Sequence, residues 1–258
     1  MLLAAMPAQP LPIDDDIRRL SDASAADVVA WALTRFGRKL AIASSFSIED
    51  CVVIDLACKA ARAAKADDVR VFALDTGRLP DETYMTAERV RMKYGVEIEW
   101  LFPQREPVEK LIQLKGLYSF RDSLENRHEC CGIRKVEPLT RALRPLKAWV
   151  TGQRKDQSPG TRAEVPVVQL DPTFGSPERP LVKFNPIANW TSKQVWAYIR
   201  QNDVPYNSLH ERGFFSIGCE PCTKAINPGQ HEREGRWWWE EETMKECGLH
   251  AGNVQPGR

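Results

Sequence analysis

Two cysteine pairs stand far apart in this chain: the adjacent Cys130 and Cys131, and Cys219-Glu220-Pro221-Cys222. If their four sulfurs serve one metal centre, the fold must bring these stretches together, and every arrangement of the segments between them is restricted. A Cys-x-x-Cys turn places two thiolates on one metal, and a zinc site usually takes two such turns. Here the other half is contiguous. Neighbouring side chains diverge, so chelating one small tetrahedral ion with both is awkward. A cubane offers a separate iron corner to each sulfur, so the pattern favours a [4Fe–4S] cluster over zinc. The competing readings are a zinc module, and packing roles for Cys130 and Cys131. Cys51 and Cys58 lie seven apart on an apolar helix and read as core.

Seven cysteines, an odd number without a secretory signal, point to a cytoplasmic protein with metal-ligand or catalytic thiols rather than a disulfide scaffold. With 258 residues, 43% of them apolar, the chain can build one substantial core. Its net charge of +1 supplies no global field toward nucleic acid or membrane. No apolar run approaches the ~18 residues that span a bilayer. The expected partners therefore include no nucleic acid and no membrane, and a homo-oligomer is left open. Residues 1–12 read as a disordered tail, 13–226 as one α/β domain, and 227–258 as a C-terminal arm.

In order, residues 17–36 read as one amphipathic helix stopped by Gly37. Residues 40–43 form a short apolar run, a strand buried on both faces. Ser44-Ser45-Phe46-Ser47 follows, then an apolar helix over 48–63, with Ser47 and Asp50 spaced as a capping box. Strands are expected at 69–74, 96–101 and 146–151, and helices at 81–94 and 108–114. Residues 158–179 read as a loop or a small antiparallel excursion. Trp190 opens another helix, with a Thr191/Gln194 capping box and Trp190 stapled onto Val195. Alternating strands and helices imply α/β architecture, a parallel sheet flanked by helices. In such sheets ligands sit beyond the carboxyl ends of the strands. Ser44–Ser47, the Asp75-Thr76-Gly77-Arg78 turn and Gly152-Gln153-Arg154 all fall there.

Basic residues gather near these stretches: Arg134 and Lys135 after the first cysteine pair, Arg154 and Arg162 after the fourth strand, Arg233 and Arg236 in the arm. They read either as a solvated face or as an anion site. Trp237-Trp238-Trp239 reads as an anchor for the arm or an exposed patch. Cys247, with Gly248 after it and His250 three residues on, is either a bystander or a nucleophile, since the thiolate is the reactive form.

Ser44-Ser45-Phe46-Ser47-Ile48-Glu49-Asp50 resembles the modified phosphate loop of the adenine-nucleotide sulfur-assimilation reductases, as do Leu74-Asp75-Thr76-Gly77-Arg78-Leu79 and Gly152-Gln153-Arg154. Glu246-Cys247-Gly248-Leu249-His250 is similar to that family's catalytic-cysteine signature. Cys-Cys plus Cys-x-x-Cys is similar to the branch that reduces adenosine 5′-phosphosulfate; the branch using the 3′-phosphorylated substrate typically lacks these cysteines. The resemblance spans residues 36–250. It implies an adenine nucleotide alpha-hydrolase-like fold with a modified PP-loop. Cys130, Cys131, Cys219 and Cys222 would hold a [4Fe–4S] cluster, and Cys247 would attack the sulfonate sulfur. AMP would leave, and thioredoxin or a similar dithiol would free sulfite from the S-sulfocysteine. The loops above, the six basic residues and His250 become candidate substrate contacts. Two other classes compete. One is a reductase of 3′-phosphoadenosine 5′-phosphosulfate. The other is an iron–sulfur enzyme transferring sulfur to tRNA, whose loop would want glycines that Ser44–Ser47 lacks.

Overall fold

The structure is a computed structural model that describes residues 13–65, 69–158 and 162–240. The expected tail over 1–12, and with it Cys247 and His250, lies outside the described residues.

All four expected strands form, most of them shorter than the apolar runs. β1 (Leu40–Ser44) pairs in parallel with β2 (Val71–Leu74), which pairs with β3 (Ile98–Leu101). β4 (Ala148–Val150) lies parallel on the other side of β1. Two strands extend this edge: β5 (Val168–Leu170) is the antiparallel excursion, and β6 (Val182–Phe184), parallel to β4, has no counterpart in the sequence reading. The sheet order is β3-β2-β1-β4-β6-β5. Ile42, Val71, Phe72, Trp149 and Val150 are all buried, as strands covered on both faces require.

The expected helix over 17–36 is two. α1 (Ile13–Ser21) ends, and Ser24 caps α2 (Ala25–Phe36) by accepting from the Asp27 N–H at 3.1 Å. Leu20, Val28 and Val29 reach the same core, so the apolar spacing runs on across the break. α3 (Ile48–Ala63) packs against α2 and is buried along most of its length. Its capping box is only half made. Ser47 accepts from the Asp50 N–H at 3.3 Å, but the Asp50 carboxylate turns to Ser45 instead of returning to the cap.

α4 (Asp81–Tyr94) closes on Gly95 in the left-handed conformation, and α5 (Arg105–Lys115) follows β3. Residues 124–143, left unassigned from sequence, form one rod: α6 (Leu124–Cys131), a π-helical turn (Gly132–Val136) and α7 (Glu137–Leu143). α8 (Ser192–Asn202) carries the expected capping box, Thr191 and Gln194 each accepting from the other's N–H. Trp190 packs its ring against Tyr198, centroids 5.6 Å apart, and lies against the core cluster that includes Val195. Among the described residues no helix is long and apolar enough to cross a membrane.

From β1 the sheet grows one way through β2 and β3 and the other way through β4 and β6. The reversal between β1 and β4 opens a crevice beyond their carboxyl ends.

Candidate active site

A cleft of about 210 Å³ fills that crevice. Ser44, Ser45, Phe46 and Ser47 line it from the end of β1, and Gly152 and Gln153 from the end of β4. Phe46 holds the first loop in place: it sits at φ 56°, unusual for a residue with a side chain, while its ring is buried against Trp100 at 5.8 Å. The loop's own donors are taken internally. Ser45 gives its N–H and hydroxyl to Asp50 at 2.6 and 2.8 Å, and the Phe46 N–H goes to the Ser44 hydroxyl at 3.1 Å. Gly152 has to be glycine, because a Cβ there would stand 2.6 Å from the Asp50 carboxylate and 2.9 Å from the Asp50 backbone N. Gln153 is buried with neither atom of its amide hydrogen-bonded.

Thr76, Lys135, Arg162, Arg233 and Arg236 line the same cleft, as the sequence suggests. Five other candidates do not. Asp75 braces its own turn, accepting from the Gly77 N–H at 2.7 Å and the Tyr84 hydroxyl at 3.0 Å. Gly77 supplies the positive φ of that turn. Arg78 donates to the Leu117 carbonyl, and Arg134 to the Thr76 carbonyl at 2.7 Å. Arg154, expected as a substrate cation, is fully buried and bound to Glu49, Asp156 and Glu232. A cation with three carboxylates holds protein elements together. Glu49, Asp50 and Glu232, all lining the cleft, were not singled out as site residues. Burial raises Asp50 to about 6. Burial also pushes Glu49 up, but Arg154 outweighs it and holds that carboxyl below its ordinary value. Glu232 stays above, burial exceeding the pull of Arg154.

The four cysteines do come together. Cys130, Cys131, Cys219 and Cys222 are buried free thiols lining one cavity. The two adjacent cysteines end α6 where the π-helical turn begins, a helix defect common at functional sites. Cys219 and Cys222 flank a tight turn in which the Cys222 N–H returns to the Cys219 carbonyl at 2.9 Å. Arg78, Arg127, Arg134 and Lys135 also line this cavity. Burial raises the Cys222 thiol to about 11. Cys219 goes the other way: burial raises it, but Lys135, the Thr76 hydroxyl 3.2 Å away, Arg236 and Arg78 together prevail and lower it. The field therefore favours thiolate where cations converge. Among the described residues no three His, Cys, Asp or Glu side chains converge closely enough for a single ion. The sulfurs ring a cavity instead.

Lys135 and Trp237 line both cavities. Trp237, buried, packs with Cys130, Cys219 and Cys222, so the first tryptophan of the triplet is an anchor of the arm; Trp238 is exposed. Arg127, fully buried, stands 4.5 Å over the Trp237 ring and donates to Glu240 at 2.6 Å. Nothing in the sequence marks Arg127, whose role depends on a residue 113 positions away. The arm is thus held to the core at Arg236 and Trp237 and again through Glu240, while residues 227–230 are exposed.

Residues 39–225 match a family described as the phosphoadenosine phosphosulfate reductase domain. The chain is 53% identical over 248 residues to an adenosine 5′-phosphosulfate reductase of Pseudomonas aeruginosa, covering 96% of this chain and 90% of that one. It is 52% identical over 241 residues to the chloroplastic 5′-adenylylsulfate reductase 3 of Arabidopsis thaliana, covering 92% of this chain and 51% of that one. A crystal structure of phosphoadenylyl-sulfate reductase from Candida auris, in a phosphate complex, superposes with a TM-score of 0.65 at 27% identity, covering 86% of this chain and all of that one. A cleft at the β1/β4 switch point, a four-thiol cavity sharing its wall, and relatives at this level of identity place the chain in the phosphoadenosine phosphosulfate reductase family.

Proposed function

We propose that the chain reduces adenosine 5′-phosphosulfate to sulfite and AMP in assimilatory sulfate reduction, with thioredoxin or a similar dithiol protein as reductant. The observation that carries this reading is the shared wall, Lys135 and Trp237, between a nucleotide-sized cleft and a cavity of four buried thiols. The names of the relatives support it. Cytoplasmic placement fits the six described cysteines, all free thiols.

Cys130, Cys131, Cys219 and Cys222 would hold a [4Fe–4S] cluster. The donor set suits it: four thiols, no carboxylate on the cavity wall, and four cations around it. When bound, such a cluster would pin α6 to the 219–222 turn and contribute its charge to the local field; the two electrons would come from the dithiol reductant by way of Cys247, not from the ligating cysteines.

Cys247 would be the nucleophile. Its thiolate attacks the sulfonate sulfur, the S–O bond to the phosphate breaks, and AMP departs with that electron pair. An anion attacking an anionic sulfonate needs cations, and Lys135, Arg162, Arg233 and Arg236 line the cleft to supply them. The dithiol then attacks the Cys247 sulfur, and sulfite leaves. Cys247 follows Glu240 by seven residues, a reach of up to ~24 Å from the Arg127 anchor. That span allows the cysteine to visit the cleft in the first step and a bulky partner in the second.

Mass spectrometry of enzyme given adenosine 5′-phosphosulfate without reductant should find one added SO₃ on the Cys247 peptide, removed by thioredoxin. Cys247→Ser should abolish it. An adduct on Cys130, Cys131, Cys219 or Cys222 would exchange the roles of nucleophile and ligand. Iron near four per chain in anaerobic protein, lost in Cys219→Ser, tests the cluster; stoichiometric zinc without iron refutes it.

A further inference from the structure

Large apolar side chains stand exposed beside the root of the arm. Leu117 is 57% exposed, Tyr118 59% and Trp238 39%. The first two lie in the turn after α5 and the third in the arm, so only the fold brings them together. Arg121, itself exposed, joins them. Its guanidinium stands 5.2 Å from the Tyr118 ring, 5.6 Å from Trp238 and 5.4 Å from Trp239. The same side chain donates to the Pro221 carbonyl at 3.2 Å, in the turn between Cys219 and Cys222. Buried Phe120 backs the group, 5.9 Å from the Tyr118 ring and 6.0 Å from Trp239. Rings held around one arginine are the residue types that carry most of the binding energy at protein interfaces.

Position and size identify what covers this face. Trp238 and Trp239 lead straight into Glu240, which Arg127 holds at 2.6 Å. Cys247 comes seven residues later, within ~24 Å of that point. A protein seated on these rings therefore has its own thiols within reach of the Cys247 sulfur. A fully covered Tyr or Trp buries about 150–250 Å². Three large side chains, roughly half exposed, then offer on the order of 300 Å², well below the ~800 Å² per partner of a stable complex. A reductant has to leave after each turnover, and so small a patch suits that contact better than a permanent second copy.

We propose that Leu117, Tyr118, Arg121 and Trp238 form the docking surface of the dithiol protein that frees sulfite from Cys247. The proposal rests on the reading of Cys247 as the nucleophile that carries the SO₃ group. On this surface the first thiolate of the partner attacks the Cys247 sulfur, and sulfite leaves with the electron pair of the broken S–S bond. The partner's second thiol, losing its proton, attacks the first; Cys247 departs as thiolate and the partner ends as a disulfide. The contact serves only this second step, since none of the four residues lines the cleft.

The test starts from anaerobically purified full-length enzyme carrying the Cys247 adduct. Sulfite release is followed against thioredoxin concentration and, separately, against dithiothreitol. In the double variant Leu117→Asp, Trp238→Ser, the thioredoxin concentration for half-maximal release should rise at least fivefold. Adduct formation, and release by dithiothreitol, should stay within twofold of wild type. Met92→Asp, at an exposed apolar position of α4, should change neither. An unchanged thioredoxin dependence in the double variant overturns the proposal, and so does an equal loss with dithiothreitol. A second measurement uses wild-type enzyme held as a mixed disulfide with a thioredoxin that keeps only its attacking cysteine. Amide hydrogen exchange over residues 117–121 should be slower there than in free enzyme; no slowing overturns the proposal whether or not the variant folds. Protection already complete in free enzyme means that a second copy or the chain's own tail covers the face, and overturns it too. Absence of any Cys247 adduct in the wild type would instead overturn the reading of Cys247. An adduct that dithiothreitol removes and thioredoxin does not would overturn the choice of reductant, and this proposal with it.

Discussion

Arg154 holds two cleft carboxylates at once, and they should respond differently to removal. It is fully buried; its Nη2 lies 2.7 Å from Glu49 and 3.0 Å from Glu232. The fold lowers the Glu49 carboxyl, Arg154 outweighing burial, so the native state favours its ionised form. It raises Glu232, burial and the neighbouring Glu49 outweighing Arg154, so it disfavours that charge. Glu49→Gln therefore removes a favourable partner and leaves a buried guanidinium with the weaker one. Breaking such a pair costs about 3–5 kcal/mol. Glu232→Gln removes a charge held against its preference and leaves the Arg154–Glu49 pair intact, a change within about 1 kcal/mol. For a chain of this size 1 kcal/mol shifts Tm by roughly 2–4 °C. Glu49→Gln should then melt about 6–20 °C lower, and Glu232→Gln within about 4 °C of wild type. Anaerobic differential scanning calorimetry at neutral pH measures both. Equal losses, or the larger loss in Glu232→Gln, would refute the reasoning.

Asp50 gives a pH test. Its folded value of about 6 exceeds the unfolded 3.8, so the fold favours the protonated form. This contribution is fully present below pH 3.8 and is lost as pH rises through about 6, a change of about 3 kcal/mol. Asp50→Asn cannot ionise, so its stability relative to wild type should rise by that amount between pH 4 and 7; a difference flat with pH in urea denaturation would contradict the assignment. At Gly218 an added Cβ would overlap the Arg236 guanidinium, the far end of a long side chain. Gly218→Ala should thus displace that cation, slowing adduct formation on Cys247 at least tenfold with Tm within a few degrees; an unchanged rate means Arg236 does not act on the sulfonate.

The sheet was legible because buried parallel strands read as apolar runs, as β1, β2 and β4 do, while β3 showed through Ile98, Trp100 and Leu101 around its one charged residue, Glu99. β6 was not, since its three residues include Lys183, which is buried over the Trp149 ring at 5.2 Å. In a strand of only three residues, one charged side chain leaves no apolar run to read. That the four cysteines converge on one cavity was legible because sulfur chemistry allows few arrangements of two such pairs. Asp50 was misread because a side chain three residues into a helix ordinarily serves the cap, and only the three-dimensional loop turns it to Ser45. Arg154 was misread for the same reason, as its carboxylates come from positions 49 and 232. Sequence spacing reports neighbours within one helix or turn and is silent on pairs joined across the fold.

The rod over 124–143 has a consequence for how such a chain tolerates insertions and deletions. Its two ends face different tasks: Cys130 and Cys131 point to the sulfur cavity, while Leu139 and Leu143 pack with Trp149 under the sheet. An α-helix turns about 100° per residue. The π-helical turn Gly132–Val136 accommodates one residue more than regular winding would. Loss of a single codon there would restore an ordinary helix and rotate one end by about 100° against the other. Either the sulfurs or the leucines would then face the wrong way. No point substitution in the turn makes that change of phase, so the spacing between the cysteine pair and the leucines is as much a part of the sulfur cavity as the cysteines themselves.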